Sequence, residues 1–89
     1  MIKHRIMQTE GILVIEPVSA LSVDDFLGLT VSVDAYLTEH PTLHGLLIHA
    51  QYFPGWENFA GFSAHLRFVR DHHRKIERIA IVTDSPLGT

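Results

Sequence analysis

Cysteine is absent from this chain of 89 residues, and its absence excludes disulfides, thiolate nucleophiles and cysteine-ligated zinc within the sequence. Long apolar runs are absent as well. The longest, such as residues 11–15, have four or five residues, whereas a membrane-spanning helix needs roughly 20. Because no apolar stretch of about 7–15 residues follows the charged N-terminus, we expect no signal peptide.

Positive charge is scarce. Seven lysine and arginine residues oppose ten aspartate and glutamate residues, for a net charge of −3, so nucleic acid is not an expected partner. With 46% hydrophobic residues, the chain is too apolar for a disordered tail, and residues 1–89 are expected to form one small cytoplasmic domain. The locally basic segment from Arg67 to Arg78 is either a solvated helix face or a surface for an anionic partner.

Strand and helix signals predict an α/β fold with the order β-β-α-β-α-β. The predicted strands cover Ile2–Met7, Gly11–Val18, Leu46–Ala50 and Glu77–Thr83, and the predicted helices run from Ser22 to about His40 and from about Glu57 to His73. The first two strands form a hairpin, and right-handed crossovers make strands two, three and four parallel. The expected architecture is a sandwich of a mostly parallel four-stranded sheet and flanking helices. The second strand is apolar on both faces, which predicts that it is covered on both sides.

Each predicted helix carries an apolar stripe that we expect to face the core. The stripe of the first helix follows a Ser22 cap and two carboxylates, and consists of Phe26, Leu29, Val33 and Tyr36 or Leu37. The stripe of the second helix consists of Phe59, Phe62, Leu66 and Val69. Phe68 lies about 140° from that second stripe at 3.6 residues per turn, which predicts a subunit contact or a surface that a further chain element covers.

Seven histidines raise the hypothesis of a metal site, which their spacing does not support. His65 and His72 share a helical face but lie roughly 10 Å apart along it. The sequence contains no HExxH motif, nucleophile elbow or phosphate-binding glycine loop. We therefore expect no metal, no cofactor and no enzyme activity. His49 alone keeps a catalytic base open, although its apolar strand favours a hydrogen-bonded core or pocket histidine.

Aromatic residues are concentrated at the end of the third strand and the start of the second helix. Tyr52, Phe53, Trp56, Phe59 and Phe62 fall within eleven residues. Ligands of open α/β sheets bind beyond the carboxyl ends of parallel strands, where this segment is expected to lie. Core packing explains the last two of these residues. For the three in the loop, an apolar pocket, a membrane contact and a protein interface remain open, beside simple capping of the sheet edge.

Two segments are the most specific part of a resemblance to a known family. The loop Phe53–Trp56 (FPGW) and the strand Glu77–Val82 (ERIAIV), together with the N-terminal hairpin and the acidic start of the first helix, resemble the SpoIIAA-like proteins, which are small bacterial proteins related to the STAS domains. The resemblance spans nearly the whole chain. It implies a mostly parallel sheet with flanking helices, a non-enzymatic role, binding of apolar small molecules and loose association with membranes.

The chain departs from the pattern of this wider group in two places. Regulatory members are switched by phosphorylation of a serine in an Asp-Ser-Ser-Gly-like turn, but the matching residues 53–58 include no serine or threonine, so we expect no such switch. Family members also continue past the strand ending near Asp84 with a helix, a strand and a final helix, which a chain ending at Thr89 lacks. Either the chain is a naturally short or truncated form, or another subunit covers its exposed sheet edge and helix flank. Because an uncovered apolar sheet edge invites aggregation, we expect a homodimer or higher oligomer.

The favoured hypothesis is a non-catalytic binding module for a lipophilic small molecule, with peripheral association with membranes. Its ligand site would comprise Tyr52, Phe53, Trp56, Phe59 and His49. A membrane or partner surface would comprise Arg67, Phe68 and Arg74. The alternative is a protein-interaction regulatory module that resembles an anti-sigma factor antagonist without the phosphoserine switch, with the same loop and second helix as its docking surface.

Overall fold

The computed structural model describes residues 1–83 of the chain. It contains, in chain order, β1 (Ile2–Met7), β2 (Ile12–Pro17), α1 (Val23–Leu37), β3 (Gly45–His49), α2 (Phe59–His72), a single 3₁₀ turn (His73–Lys75) and β4 (Ile79–Val82). The order of strands and helices is the one that the sequence predicts, and no boundary differs by more than three residues. The turn expected after Thr83 lies outside the described residues.

The four strands form one sheet in the order β1-β2-β3-β4. β1 pairs antiparallel with β2, whereas β2, β3 and β4 run parallel to one another. The predicted hairpin and the parallel pairing of the second, third and fourth strands are confirmed. The sheet as a whole is mixed, which corrects its description as mostly parallel. In the tight turn before β2 the N–H of Gly11, which has a φ of 68°, donates to the Met7 carbonyl at 2.8 Å. Such a positive φ favours glycine.

Both helices pack on the same face of the sheet. Strand alternation and register place Leu13, Ile15 and Leu46 on that face, where they form the core with buried residues of both helices. The shortest extent of the molecule is 19 Å, which fits one sheet and one layer of helices about 10–12 Å thick. Because both described helices lie on one face of the sheet, the expectation that they cover β2 on both sides is wrong. Val14 points away from them and is buried between Arg5 and Leu47 of the neighbouring strands.

α1 begins as the sequence predicts. The Ser22 hydroxyl accepts a hydrogen bond from the Asp25 N–H at 3.2 Å, and the Asp25 carboxylate accepts one from the Ser22 N–H at 2.9 Å, which makes a capping box. Burial alone would raise the pKa of Asp25, but hydrogen bonds from Ser22, the N-terminal ammonium and the Ile2 N–H outweigh burial and lower it. The predicted stripe is confirmed, with Tyr36 rather than Leu37 at its end: the buried residues are Phe26, Leu29, Val33 and Tyr36.

α2 packs through a different face from the one predicted. Phe68 is 7% exposed and Phe59 is 78% exposed, so the predicted stripe does not face the core. The physical reason lies in the first turn of the helix. Gly61 lies so close to Leu21 that a Cβ at position 61 would stand 2.6 Å from the Leu21 carbonyl oxygen. Residue 68 follows about two turns later and therefore shares the face that this close approach selects.

Because α2 buries the face that contains Gly61 and Phe68, apolar side chains on its other side remain at the surface. Leu66 and Val69 of the predicted stripe are exposed. All four residues of β4 are exposed as well, and β4 forms one edge of the sheet.

Candidate functional site

The loop that follows β3, residues 50–58, is fixed to the segment before α1. The N–H of Leu21 donates to the Gly55 carbonyl at 2.8 Å, and the N–H of Glu57 donates to the Leu21 carbonyl at 2.8 Å. This is a short parallel bridge between Leu21 and Trp56. Gly55 has a φ of 80°, which favours glycine and turns the chain back after Pro54. The anchoring places Trp56 against α2.

Trp56 lies at the centre of an aromatic cluster, which we define as Phe53, Trp56, Phe59 and Phe62. The Trp56 ring meets Phe53 and Phe62 edge-on, with centroids 4.8 Å and 4.7 Å apart. Phe59 and Phe62 lie 6.0 Å apart. Edge-on pairs of this kind contribute roughly 0.5–1.5 kcal/mol beyond the area that they bury. Because Phe53 and Phe59 are exposed, the aromatic cluster also presents apolar area to the solvent.

His65 connects the aromatic cluster to the core. Its Nδ1 accepts a hydrogen bond from the indole N–H of Trp56 at 3.1 Å, so the proton of the neutral ring resides on Nε2. The ring also stacks on Phe26, with centroids 4.9 Å apart. Burial lowers the pKa of His65 from its usual 6.5, because the charged form is poorly solvated there. The position therefore favours a neutral imidazole.

An apolar cavity of about 230 Å³ lies between the sheet and the helices. Its deep walls are buried core side chains, which include Ile15, Leu21, Phe26, Leu29, Leu46 and Phe68. Phe53, Val69 and Ile79 are the exposed members of the lining, so they mark the opening. Among the described residues that line the cavity, His65 contributes the titratable side chain.

The structure brings one part of the predicted ligand site to this cavity. Phe53 lines it, and Trp56 contacts two of its lining residues, Phe53 and His65. Phe59 lies in the first turn of α2 and is exposed. It belongs to the aromatic cluster and does not line the cavity.

His49 and Tyr52 lie apart from the cavity. They line a more polar depression of about 300 Å³ at the carboxyl ends of β2 and β3. The Nδ1 of His49 stands 3.7 Å from a carboxylate oxygen of Glu16, and the His49 side chain is 45% exposed. The interpretation of His49 as a core residue is wrong, because its side chain lies on the sheet face that the described helices leave uncovered. It lines a pocket at the surface instead.

Of the three residues predicted to form a membrane or partner surface, one is wrong. Arg67 and Arg74 are exposed, but Phe68 is buried. The Phe68 ring stacks on His72 at 4.4 Å and lies 6.2 Å from Phe26. The close approach of Gly61 to Leu21 turns Phe68 into the core and leaves the arginines outside.

His72 is a buried polar residue that sequence reasoning missed. Its Nδ1 lies 2.8 Å from the Phe68 carbonyl, and its Nε2 lies 2.8 Å from the Asp34 carboxylate. Both partners are hydrogen-bond acceptors, so a ring nitrogen that carries a proton donates to its partner. A stripe drawn through Gly61, Phe68 and His72, at intervals of seven and four residues, would have predicted this face.

Two kinds of site are not formed by residues 1–83. Within that range no helix has both the length and the apolar character needed to cross a membrane. No three histidine, aspartate or glutamate side chains in the same range are grouped so that they could hold a metal ion.

Comparison with known proteins identifies the family. A family model described as SpoIIAA-like matches residues 12–88, a range that includes the cavity opening and the aromatic cluster. No curated protein and no solved structure matches the sequence significantly. The family match covers well over half of the chain and agrees with the resemblance carried by the FPGW and ERIAIV segments. The chain belongs to the SpoIIAA-like family.

Proposed function

We propose that this protein is a non-catalytic interaction module whose cavity binds a lipophilic small molecule. Membership of the SpoIIAA-like family suggests a non-catalytic regulatory or interaction module. The observation that supports the finer proposal is the apolar cavity of about 230 Å³ between the sheet and the helices. Ligand sites are mostly apolar concave surfaces with a few polar groups, and His65 supplies such a group here.

The volume of the cavity fits a small organic molecule. An engineered apolar cavity of about 150 Å³ stays dry and binds benzene, and pockets for drug-sized ligands begin near about 300 Å³. At about 230 Å³, the cavity matches one ring system or a short alkyl chain. Apolar ligand surface that enters the cavity leaves water, which contributes about 25 cal/mol per Å².

Two side chains at the opening would respond to a ligand. Phe53 lines the opening and contacts Trp56 edge-on at 4.8 Å. A ligand that displaces Phe53 therefore changes the surroundings of the single tryptophan of the chain. Emission from Trp56 reports binding, although Trp56 itself lies outside the cavity lining.

The experiment is a titration with 1-octanol, a neutral apolar probe, and with decanoate, which adds a carboxylate to a similar chain. At ten times the dissociation constant, either probe is expected to stabilise the fold by about 1.4 kcal/mol. For a domain of this size that raises the melting temperature by about 6–11 °C. A shift in Trp56 emission should follow the same binding curve.

Val69→Asp and Val31→Asp are the matched variants for this titration. Both valines are exposed on helices, but Val69 lines the opening and Val31 lies on α1. A carboxylate at position 69 should weaken 1-octanol binding at least about tenfold, a loss of 1.4 kcal/mol, and Val31→Asp should leave it unchanged. No rise in melting temperature up to the solubility limit of both probes would contradict the proposal.

The exposed aromatic cluster supports a second candidate function, the docking of a regulatory protein. Members of the family typically interact with protein partners, and aromatic residues are enriched among the residues that carry interface energy. Phe59 is the most exposed member of the cluster, at 78%. Peripheral association with membranes would use the same aromatic rings, with Arg67 and Arg74 beside anionic headgroups.

Phe59→Ala separates these functions because Phe59 does not line the cavity. A partner that is identified by pull-down and then purified should lose at least about tenfold affinity for this variant, while 1-octanol binding stays unchanged. Binding of wild type and Phe59→Ala to phosphatidylglycerol vesicles tests whether the aromatic cluster mediates membrane association. Unchanged affinity for both the partner and the vesicles would contradict docking through the aromatic cluster.

A further inference from the structure

The hydrogen bond between Trp56 and His65 determines which imidazole nitrogen carries the proton. An indole N–H can only donate, and the indole nitrogen of Trp56 lies 3.1 Å from Nδ1 of His65. Nδ1 therefore accepts and carries no proton, so the proton of the neutral ring is on Nε2. Burial favours the neutral ring, because it lowers the pKa of His65. At Nε2 the ring thus offers a hydrogen-bond donor and no acceptor.

The Nε2–H group of His65 is open to a further molecule. Within residues 1–83 the contacts of His65 are the hydrogen bond from Trp56 to Nδ1 and ring contacts with Phe26 and Trp56. Every fully buried side-chain nitrogen or oxygen in the same range has a hydrogen-bond partner. Nε2 has none there, so it is not sealed in the core and a water-sized molecule can reach it. An acceptor that meets this donor forms a hydrogen bond, whereas an apolar group would leave it unsatisfied.

The apolar cavity offers a ligand very few polar groups. Among its described lining residues, His65 is the one whose side chain has a nitrogen or oxygen atom. Trp56, which occupies Nδ1, lies outside the lining, so Nε2 is the ring nitrogen left for a ligand in the cavity. A ligand with one acceptor atom matches this lining. A second polar group would lose its water without a side-chain partner to replace it.

We propose that the cavity selects a neutral apolar molecule with one hydrogen-bond-accepting oxygen, such as a ketone or an ester, and that Nε2–H of His65 donates to that oxygen. This inference rests on the proposed function, since it names the ligand class of the same cavity. An ammonium or amide N–H of a ligand would meet the N–H of His65, donor against donor. A carboxylate can accept, but a single hydrogen bond does not offset the lost hydration of a charge in an apolar cavity. Trp56 is a positioning residue, because it holds the proton of His65 on Nε2.

Acetophenone and α-methylstyrene are matched probes for this donor, because they differ in a C=O group that replaces a C=CH₂ group of similar shape. Titration calorimetry with the full chain gives the affinity of each probe for wild type and for His65→Phe. The ratio of the acetophenone affinity to the α-methylstyrene affinity should fall about three- to tenfold in His65→Phe. The ratio removes any general loss of packing, which affects both probes. Leu66→Phe, at an exposed position outside the cavity lining, is the control and should leave the ratio unchanged.

The carbonyl stretch of bound acetophenone gives a second measurement, which needs no variant that might fail to fold. A hydrogen bond to the carbonyl oxygen weakens the C=O bond and lowers its stretching frequency. In the infrared spectrum of the wild-type complex, the band should therefore lie below its position in hexane. In His65→Phe it should return towards the hexane position, which distinguishes donation by His65 from donation by water.

The ¹⁵N resonances of the imidazole test the positioning role of Trp56. At about pH 8, above the usual pKa of histidine, Nδ1 of wild-type His65 should have the chemical shift of an unprotonated nitrogen and Nε2 that of a protonated one. Trp56→Phe keeps an aromatic ring but lacks the indole donor. In this variant the two resonances should move towards each other, because both tautomers become populated.

Three results would overturn the assignment of the donor. They are an affinity ratio that His65→Phe leaves unchanged, a bound carbonyl band at its hexane position, and a wild-type His65 ring with its proton on Nδ1. The proposed function fails on a different result, since it requires only that apolar probes bind. Binding of α-methylstyrene and 1-octanol together with any of these three results would reject the donor and retain the cavity as a binding site. No binding of any probe would reject both.

Discussion

His65 and His72 lie on the same side of α2, but their surroundings differ. His65 stacks on Phe26 and accepts a hydrogen bond from Trp56, so its environment suits the neutral ring. His72 lies between the Phe68 carbonyl and the Asp34 carboxylate, both of which are hydrogen-bond acceptors. Two histidines on one helix thus have different hydrogen-bond partners.

The lowered pKa of His65 predicts a loss of stability in mild acid. In the folded protein this pKa lies below the usual 6.5, so the unfolded chain binds more protons between the two values. The contribution of neutral His65 is complete above pH 6.5 and is lost as the pH falls through the lowered pKa. Urea denaturation between about pH 7.5 and about pH 5 measures the change.

His65→Phe isolates this effect, because phenylalanine keeps a ring against Phe26 and does not titrate. The unfolding free energy of wild type minus that of His65→Phe should decrease as the pH falls, because wild type alone loses the contribution of neutral His65. Leu66→Phe, at an exposed and non-titrating position of the same helix, serves as the control and should show no such trend. A difference between wild type and His65→Phe that is constant over this pH range would contradict the assignment of a neutral His65.

The contact of His72 with Asp34 predicts a stabilising link between the helices. Asp34→Ala leaves a buried ring nitrogen without its carboxylate partner, at an expected cost of about 1–2 kcal/mol. The lower part of the usual range applies because the Asp34 side chain is 59% exposed, so water can reach the site. Glu39→Ala removes an exposed carboxylate after the same helix and should cost less than about 0.5 kcal/mol. Equal effects in thermal denaturation would contradict the link.

At the scale of the element, the rotation of α2 decides which residues are buried. The close approach of Gly61 to the Leu21 carbonyl turns Phe68 and His72 inward. The aromatic residues at positions 59 and 62 then lie on another side of the helix. The apolar pattern of α2 alone cannot predict this choice, because both sides of the helix carry large apolar residues.

Gly61→Ala and Gly28→Ala test this rotation as a pair. Alanine usually stabilises a helix by up to about 1 kcal/mol relative to glycine, and Gly28→Ala in α1 should do so because nothing lies within 4 Å of the new Cβ. Gly61→Ala should instead destabilise the fold by about 1–3 kcal/mol through overpacking, since its Cβ would stand 2.6 Å from the Leu21 oxygen. Denaturant titration that shows both variants more stable would contradict the packing described for α2.

α1 shows the opposite case, in which local signals suffice. Its cap, its first-turn carboxylates and its predicted apolar stripe are all confirmed by the structure. α1 also carries exposed apolar side chains, Leu27 and Val31, but they do not form a competing stripe with the helical spacing of Phe26, Leu29, Val33 and Tyr36. In α2 a complete apolar stripe lies on the wrong face, so its orientation depends on the contacts that its neighbours allow.

At the scale of the whole molecule, the one-sided arrangement of the helices explains the apolar cavity and the apolar surface beside it. The helices cover one face of the sheet, and α2 rests on it through a face that includes a glycine. The apolar cavity lies beneath α2, and the remaining apolar side of the helix lies next to the edge strand β4. The cavity opening and the strand β4 thus meet at Val69 and Ile79.

The same arrangement divides the predicted ligand site. Phe53 comes to the apolar cavity, whereas His49 comes to the polar depression at the end of β3. Tyr52 lines that polar depression and also shares a second, apolar depression of about 370 Å³ with Phe53. The course of the loop decides these positions, and closeness in the sequence could not show it.

The sequence by itself determined the order of the elements, the cap and buried face of α1, the hairpin and the family. These features depend on residues a few positions apart, whose signals do not need the rest of the chain. The tertiary structure alone decided the face that α2 buries, the pairing of His72 with Asp34, the exposure of His49 and the presence of a cavity. Each of these depends on the distance between segments far apart in the chain, above all on how closely Gly61 approaches Leu21.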